Sequence, residues 1–330
     1  MSKRSGLYPR VRVRGDGEET VSQAGGVLLV ETASRTGLDG ALSTALEPWH
    51  MPRAVHDPGK VLLDLALAVA LGGDCLSDIG MLRAEPDVFG PVASDPTVSR
   101  LVDALAAAGP RALGAIRRAR SEVRARVWKL AGQAAPDSGG EVIVDIDGVL
   151  VLAHSEKEDA AATWKKTFGH HPLVAFVDHG PGGSGEPVAG LLRPGNAGSN
   201  TAADHITVTR QALAQLPKQF RRGRRTLIRT DSAGGTHKFL NWLTRRGRWL
   251  SYSVGMAITD AVHQAVLLVP DSAWTPAVEP DGRPGARRRV GRRTGRRCPQ
   301  GLAAAHAAGR PQGTAPPRRS CASPTLTGCG

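Results

Sequence analysis

Apolar positions recur with two different periods along this chain, and the change of period divides it. From Gly25 to Leu46 apolar and small residues alternate in a way that fits a helix, or a strand followed by a helix. Lys60 to Gly72 (KVLLDLALAVALG) reads as an apolar helix whose only interior charge is Asp64, so it is expected to be buried. Asp74 to Leu82 continues as a short helix. Asp95-Pro96 is a helix start, with Asp95 as cap and Pro96 at the first helical position. That helix runs to the Gly109-Pro110 stop, and a second one covers Arg111 to Ala131. The second carries Arg117, Arg118, Arg120, Arg124 and Arg126. A helix, a short break and a basic helix suit a DNA-reading helix-turn-helix, and equally an all-helical domain with solvated arginines.

Ala135 to Gly140 (APDSGG) reads as a linker, and β-branched residues take over beyond it. Glu141 to Leu152 (EVIVDIDGVLVL) is a buried strand or hairpin, and Leu173 to Asp178 and Pro187 to Leu192 are further strands. Thr201 to Leu216 is helical, Leu227 to Thr230 a fourth strand, Gly235 to Arg246 a helix and Trp249 to Ile258 a fifth strand. Three strands, helix, strand, helix, strand predicts an α/β fold with helices packed on an open mixed sheet.

From about Gly282 neither period continues. Residues 283–330 hold eleven Arg and no Lys, Asp or Glu, whereas residues 1–282 carry 32 basic and 30 acidic side chains. Most of the net charge of +13 therefore sits in the last segment. An Arg/Gly/Pro-rich stretch cannot bury a core. It reads as a disordered basic tail that binds nucleic acid, or as the out-of-frame product of a GC-rich gene, and the second is the expectation here. The four cysteines form no CxxC pair, so neither a zinc ribbon nor a disulfide framework is indicated. No run of about 18 apolar residues supports a membrane span, and no secretory signal is apparent, so a cytoplasmic protein is expected.

Two strand ends carry the candidate chemistry. Asp145 and Asp147 project to one face of a strand, because side chains alternate. Paired carboxylates there suit Mg²⁺ or Mn²⁺. Asp231 ends the apolar strand of LIRTDSAGG, where it could equally cap the following turn. Two acids from adjacent strands can hold two metals for phosphodiester chemistry. Arg193 and Asn196 lie in a Pro/Gly-rich loop and could grip DNA, and Arg221, Arg222, Arg224 and Arg225 (RRGRR) are the best candidates for phosphate contact.

Several long motifs carry a resemblance. GGVLLVETASRTGL, DLALAVALGGDCLSDIGMLRAEPDVFG, VIVDIDGVLVLAHSEKEDAA, FGHHPLVAFVDHG, GEPVAGLLRPGNAGSNTAADH and LIRTDSAGGTHKFLNWL resemble actinobacterial transposases of the IS1380 group, collinearly over about residues 25–282. The resemblance implies a DDE transposase with an RNase H-like core, whose three acids bind two divalent metals and cut and rejoin DNA at element ends. It implies a homo-oligomer bound to terminal repeats and target DNA, close to the nucleoid. By position it implies Asp147 as the first ligand, with Asp145 beside it as the alternative, and Asp231 as the second. Val149 stands where the family carries Thr. No third acid can be assigned, because none follows Asp281.

The expected organisation is a flexible basic segment at 1–24, a helical, possibly DNA-binding domain at 25–133, a partial catalytic core at 141–282 and the tail at 283–330. The expectation for function is a truncated transposase, frameshifted after about residue 282 and inactive alone. Two other readings stand beside it. One is a non-catalytic DNA-binding or inhibitor fragment. The other is a haloacid-dehalogenase-like phosphatase, with Asp145 as nucleophile and Asp147 as general acid.

Overall fold

The computed structural model describes residues 7–11, 23–154, 156–180, 183, 185–245, 247–255, 259–270, 272, 274–278, 284–291 and 325–328. Residues Met1–Ala131 and Gly132–Gly330 form two compact units.

The first unit is helical. Its elements are α1 (Gly26–Thr36), α2 (Leu38–Leu46), α3 (Pro58–Ala70), α4 (Gly80–Arg83), α5 (Pro86–Phe89), α6 (Asp95–Ala108) and α7 (Pro110–Ala131). The Gly25–Leu46 stretch is thus two helices with no strand. Gly37 sits at φ 76°, a conformation open to glycine, so its N–H turns back to the Ala33 and Ser34 carbonyls and α2 begins at once. Asp57 caps α3 by accepting from Lys60 N, with Pro58 in the first turn. For α6 the cap position falls on Ser94. Asp95 is instead inside the first turn, and its carboxylate pairs with Arg83 at 2.7 Å.

The lone interior charge of α3 is explained by its neighbours. Lys60 lies one turn earlier and reaches both Asp64 oxygens, at 2.9 and 2.7 Å. Tyr8 donates to Asp64 Oδ1 at 2.8 Å. Asp64 is fully buried, so its charge is tolerated only because these donors replace water. Burial, then the Asp64 carboxylate, pushes the Tyr8 phenol well above its usual range. Leu42, Leu63, Leu67, Leu82 and Phe89 form the surrounding core. Two α7 arginines are structural: Arg124 is buried, and Arg126 donates to the Thr36 carbonyl at the end of α1.

The second unit is a mixed α/β structure. Its elements begin with β1 (Val142–Gly148), β2 (Val151–Leu152), β3 (Ala161–Ala162), β4 (Phe168–His170), β5 (Leu173–Val177) and β6 (Glu186–Leu191). They continue with α8 (Ala202–Gln215), β7 (Thr226–Thr230), α9 (His237–Thr244), β8 (Ser251–Gly255) and α10 (Asp260–Leu267). β9 (Trp274–Val278), β10 (Pro284–Gly291) and β11 (Thr325–Gly328) follow. Five strands lie in the order β8-β7-β1-β5-β6, and β11 pairs along β8. β5 runs antiparallel to β1 and to β6, whereas β7 runs parallel to β1 and to β8.

Alternation fixes the two faces. Val142, Val144 and Ile146 of β1 are buried, as are Leu173, Ala175 and Val177 of β5 and Ile228 of β7. Helix α8 packs on β1, β5 and β6, and α9 packs on α8. Each fully buried aliphatic side chain contributes about 1.5–3 kcal/mol relative to exposure. The opposite face of β1 carries Asp145 and Asp147.

Two small pairings, β2-β4-β3 and β9-β10, were not expected. Within the segment expected to be a patternless tail, Pro284–Gly291 and Thr325–Gly328 are strands. The rest of 283–330 lies outside the described residues, as do residues 256–258 of the expected fifth strand. No helix among the described residues is long and apolar enough to cross a membrane.

Candidate functional site

β1 and β7 are parallel neighbours, and their last paired positions are Ile146 and Thr230. One step further along each strand comes Asp147 on β1 and Asp231 after β7. The two residues therefore occupy matching positions at the carboxyl ends of adjacent parallel strands. Such ends are where sites form in open sheets. Both residues are exposed. Asp147 accepts from Gly148 N at 2.8 Å through Oδ1. Asp231 accepts from Ala233 N at 2.9 Å through Oδ1, which caps the turn Ser232–Gly234. The capping role foreseen for Asp231 is real, and it leaves Oδ2 available for other work.

Asp145 points to the same face as Asp147 but is committed elsewhere. It stands opposite Arg229 in the parallel register. Arg229 Nε donates to Asp145 Oδ1, and Nη2 donates to Oδ2 at 2.7 Å. The same Nη2 donates to Asp178 Oδ2 at 2.8 Å, just past β5. The hydrogen bonds to Asp145 hold the Arg229 guanidinium above its ordinary pKa. The Gly180 N–H, at 2.7 Å, and then Arg229 hold the Asp178 carboxyl below its ordinary value. The phosphatase reading needs a free Asp145 oxygen as nucleophile, and both oxygens already accept from Arg229.

Arg229 and Asp178 were missed from the sequence, although a signal was there. In LIRTD, Arg229 is two residues before Asp231 and so shares its face. Asp178 ends the run LVAFVD as Asp231 ends its own.

Gly255, the last residue of β8, presses on this corner. A Cβ there would lie 2.8 Å from Ser232 N and 3.0 Å from Asp231 C. His205 on α8, within electrostatic reach of Asp231, is buried against Phe239 with ring centroids 5.4 Å apart. Burial keeps its imidazole below the ordinary histidine value.

The expected DNA contacts separate. Arg193 is buried, which corrects its expected role on a DNA backbone. Its Nε donates to His171 O at 2.9 Å, and its Nη1 to Gly198 O and Asp204 Oδ2, each at 3.1 Å. It holds the 193–204 loop to α8. Asn196, in that loop, is exposed. Arg221 ties Nε to the Leu216 carbonyl at 2.8 Å, and Arg225 lies over the Phe220 ring. Arg222 and Arg224 are exposed. All four arginines of this run precede β7, so the strand separates them from Asp231.

Oxygen donors on Asp147 and Asp231 fit a hard divalent cation. Among the described residues, the one place that gathers three potential ligand groups is Asp74, Cys75 and Asp78 in the helical unit. There Asp78 accepts from the Asp74 and Cys75 N–H groups, at 2.9 and 3.0 Å. That carboxylate is serving as a cap for the turn Leu76–Ile79.

A family profile described as transposase DDE domain group 1 matches residues 3–292. No curated protein matches the chain.

Proposed function

The chain belongs to the transposase DDE domain group 1 family, and on that premise we propose that Asp147 and Asp231 are two of its catalytic acids. The family implies DNA binding and DNA cleavage, and its members normally use divalent metals. The observation that carries the assignment is the parallel register of β1 and β7. It supports the assignment because Asp147 and Asp231 each come one step after the last paired residues, Ile146 and Thr230, while Asp145 is held by Arg229. Asp147 and Asp231 would hold a divalent ion, which would supply activation of a water or hydroxyl and stabilisation of the leaving oxygen. The protein's own part would be placement: a backbone N–H fixes Oδ1 of each acid, and Oδ2 would be the atom offered to the cation.

The finer reading is an IS1380-like enzyme with an RNase H-like core at 141–282, a helical, DNA-binding domain at 25–133, and two Mg²⁺ or Mn²⁺ ions in a complete site. The motif run from Gly25 to residue 282 supports it. Asn196, Arg221, Arg222, Arg224 and Arg225 then contact DNA, and the chain acts as a homo-oligomer on element ends. No third acid is assigned. In this reading the segment 283–330 is out of frame and strand transfer by this chain alone is weak. Translating the gene in all frames beyond codon 282, to look for a helix carrying an acid, tests that part.

Mn²⁺ titration followed by electron paramagnetic resonance tests the acids. Asp147→Asn and Asp231→Asn should each weaken binding by at least the roughly 10–100-fold lost when a supporting group around a metal is removed. Asp145→Asn should leave it near the parent value. Equal losses in all three, or none, would sink the assignment.

A further inference from the structure

Four guanidinium-bearing residues meet in one concavity of the second unit. Arg221 and Arg222 approach it from the turn after α8, and Arg245 and Arg248 from the loop between α9 and β8. Leu213 and Gly247 complete the lining around a volume of about 350 Å³. That volume falls in the range of about 300–1,000 Å³ usual for ligand sites.

The charges that act on Arg248 are all positive. The groups acting electrostatically on Arg248 are the guanidiniums of Arg210, Arg245 and Arg222, and no carboxylate is among them. Burial and this repulsion together hold Arg248 below the ordinary arginine value. Arg248 nonetheless stays in place, with its guanidinium carbon 3.6 Å from the centroid of the Trp242 ring. Arg210 lies over the same ring at 5.6 Å. Stacking fixes the fork, and the Arg248 Nε is buried with no hydrogen-bond partner among the described residues. A buried charged N–H without an acceptor is costly. Guanidinium forks converging around such an N–H are what a phosphate group satisfies.

We propose that this pocket is a phosphate-binding subsite that holds a backbone phosphate of bound DNA. It lies at the amino ends of β7 and β8, whereas Asp147 and Asp231 lie at the other end of the sheet. β7 spans five residues, or about 16 Å at about 3.3 Å per residue. The subsite therefore grips the duplex away from the phosphodiester presented to the acids. The identity of the phosphate rests on the family's DNA binding, and the pocket itself is independent of the acid pair.

The test uses the full chain in EDTA, so failure of the metal assignment cannot affect it. Arg222 and Arg245 are exposed, so Arg222→Gln with Arg245→Gln spares the Trp242 stack. Duplex DNA binding is measured between about 50 and 200 mM salt, and the log–log slope should shrink by about 0.9, the value of one lost phosphate contact. In parallel, inorganic phosphate without DNA should raise the melting temperature of the parent and not of the double variant. Loss of both effects supports the subsite. Loss of phosphate protection with an unchanged DNA slope means a site for a free phosphorylated small molecule and overturns the DNA assignment. A smaller slope with no phosphate protection in the parent means diffuse surface charge and overturns the pocket. No change in either also overturns it.

Discussion

Arg229 on β7 and Asp145 on β1 stand opposite each other in a parallel register, and one guanidinium occupies both oxygens of that carboxylate. The pair takes Asp145, one of the three candidate acids, out of circulation. It also crosses to Asp178 beyond β5, so a single side chain spans three strands.

Arg229→Lys keeps the charge but loses the planar fork, which an ammonium cannot reproduce. Both partners are partly exposed, with side-chain exposures of 45% and 34%. The expected loss is therefore about 1 kcal/mol, the upper end for exposed pairs. Urea unfolding measures it. A variant as stable as the parent would show that the bridge is ornamental.

Gly255→Ala should displace Asp231 without dismantling β8. The new methyl would meet backbone atoms of residues 231 and 232, which cannot rotate away. Overpacking of this kind costs about 1–3 kcal/mol. Mn²⁺ affinity should fall while the far-UV circular dichroism spectrum is kept. Gly190→Ala, whose methyl meets nothing closer than Val174 Cγ1 at 3.9 Å, is the control and should change neither.

Acid should weaken the second unit in two windows. His205 has a lowered pKa in the fold, so the neutral ring is the folded form. Its contribution is full above the ordinary value of 6.5 and is lost as pH falls through the lower folded value. Asp178 is also lowered, so its contribution is full above 3.8 and is lost on further acidification. Melting temperature against pH should show both declines. Asp178→Asn should flatten the lower one alone, and His205→Gln the upper one alone.

Lys60→Met in the helical unit leaves Asp64 buried with its main counter-charge gone. Breaking a buried pair in this way costs about 3–5 kcal/mol. Chemical denaturation should show that loss, and Lys60→Met with Asp64→Leu should recover most of it. A single variant of parental stability would mean that Tyr8 alone can carry the carboxylate.

The order of elements along the second unit was legible because VIVDIDG, LVAFV and LIRT alternate with helical stretches, and period-two alternation sets which side chains face in. The positions of Asp147 and Asp231 at the ends of β1 and β7 were legible because each closes an apolar run. The engagement of Asp145 by Arg229 was not legible, because the two are 84 residues apart in sequence. Arg193 misled for the same reason: a loop arginine looks solvated until the carbonyls of His171 and Gly198 are found around it. Arg245 and Arg248 went unnoticed, since only the fold brings them to Arg221 and Arg222.

The central strand is also the first strand to be synthesised. β1 gains β5 on one side within a few dozen residues, but its other neighbour, β7, begins only at Thr226. Pairings of such long separation form slowly. A nascent chain that has emerged only as far as α8 carries β1 with one edge open, and an open apolar edge recruits strands from other molecules. Yield in the cell should therefore depend on how fast translation passes from β6 to β7, and on chaperones that shield that edge meanwhile.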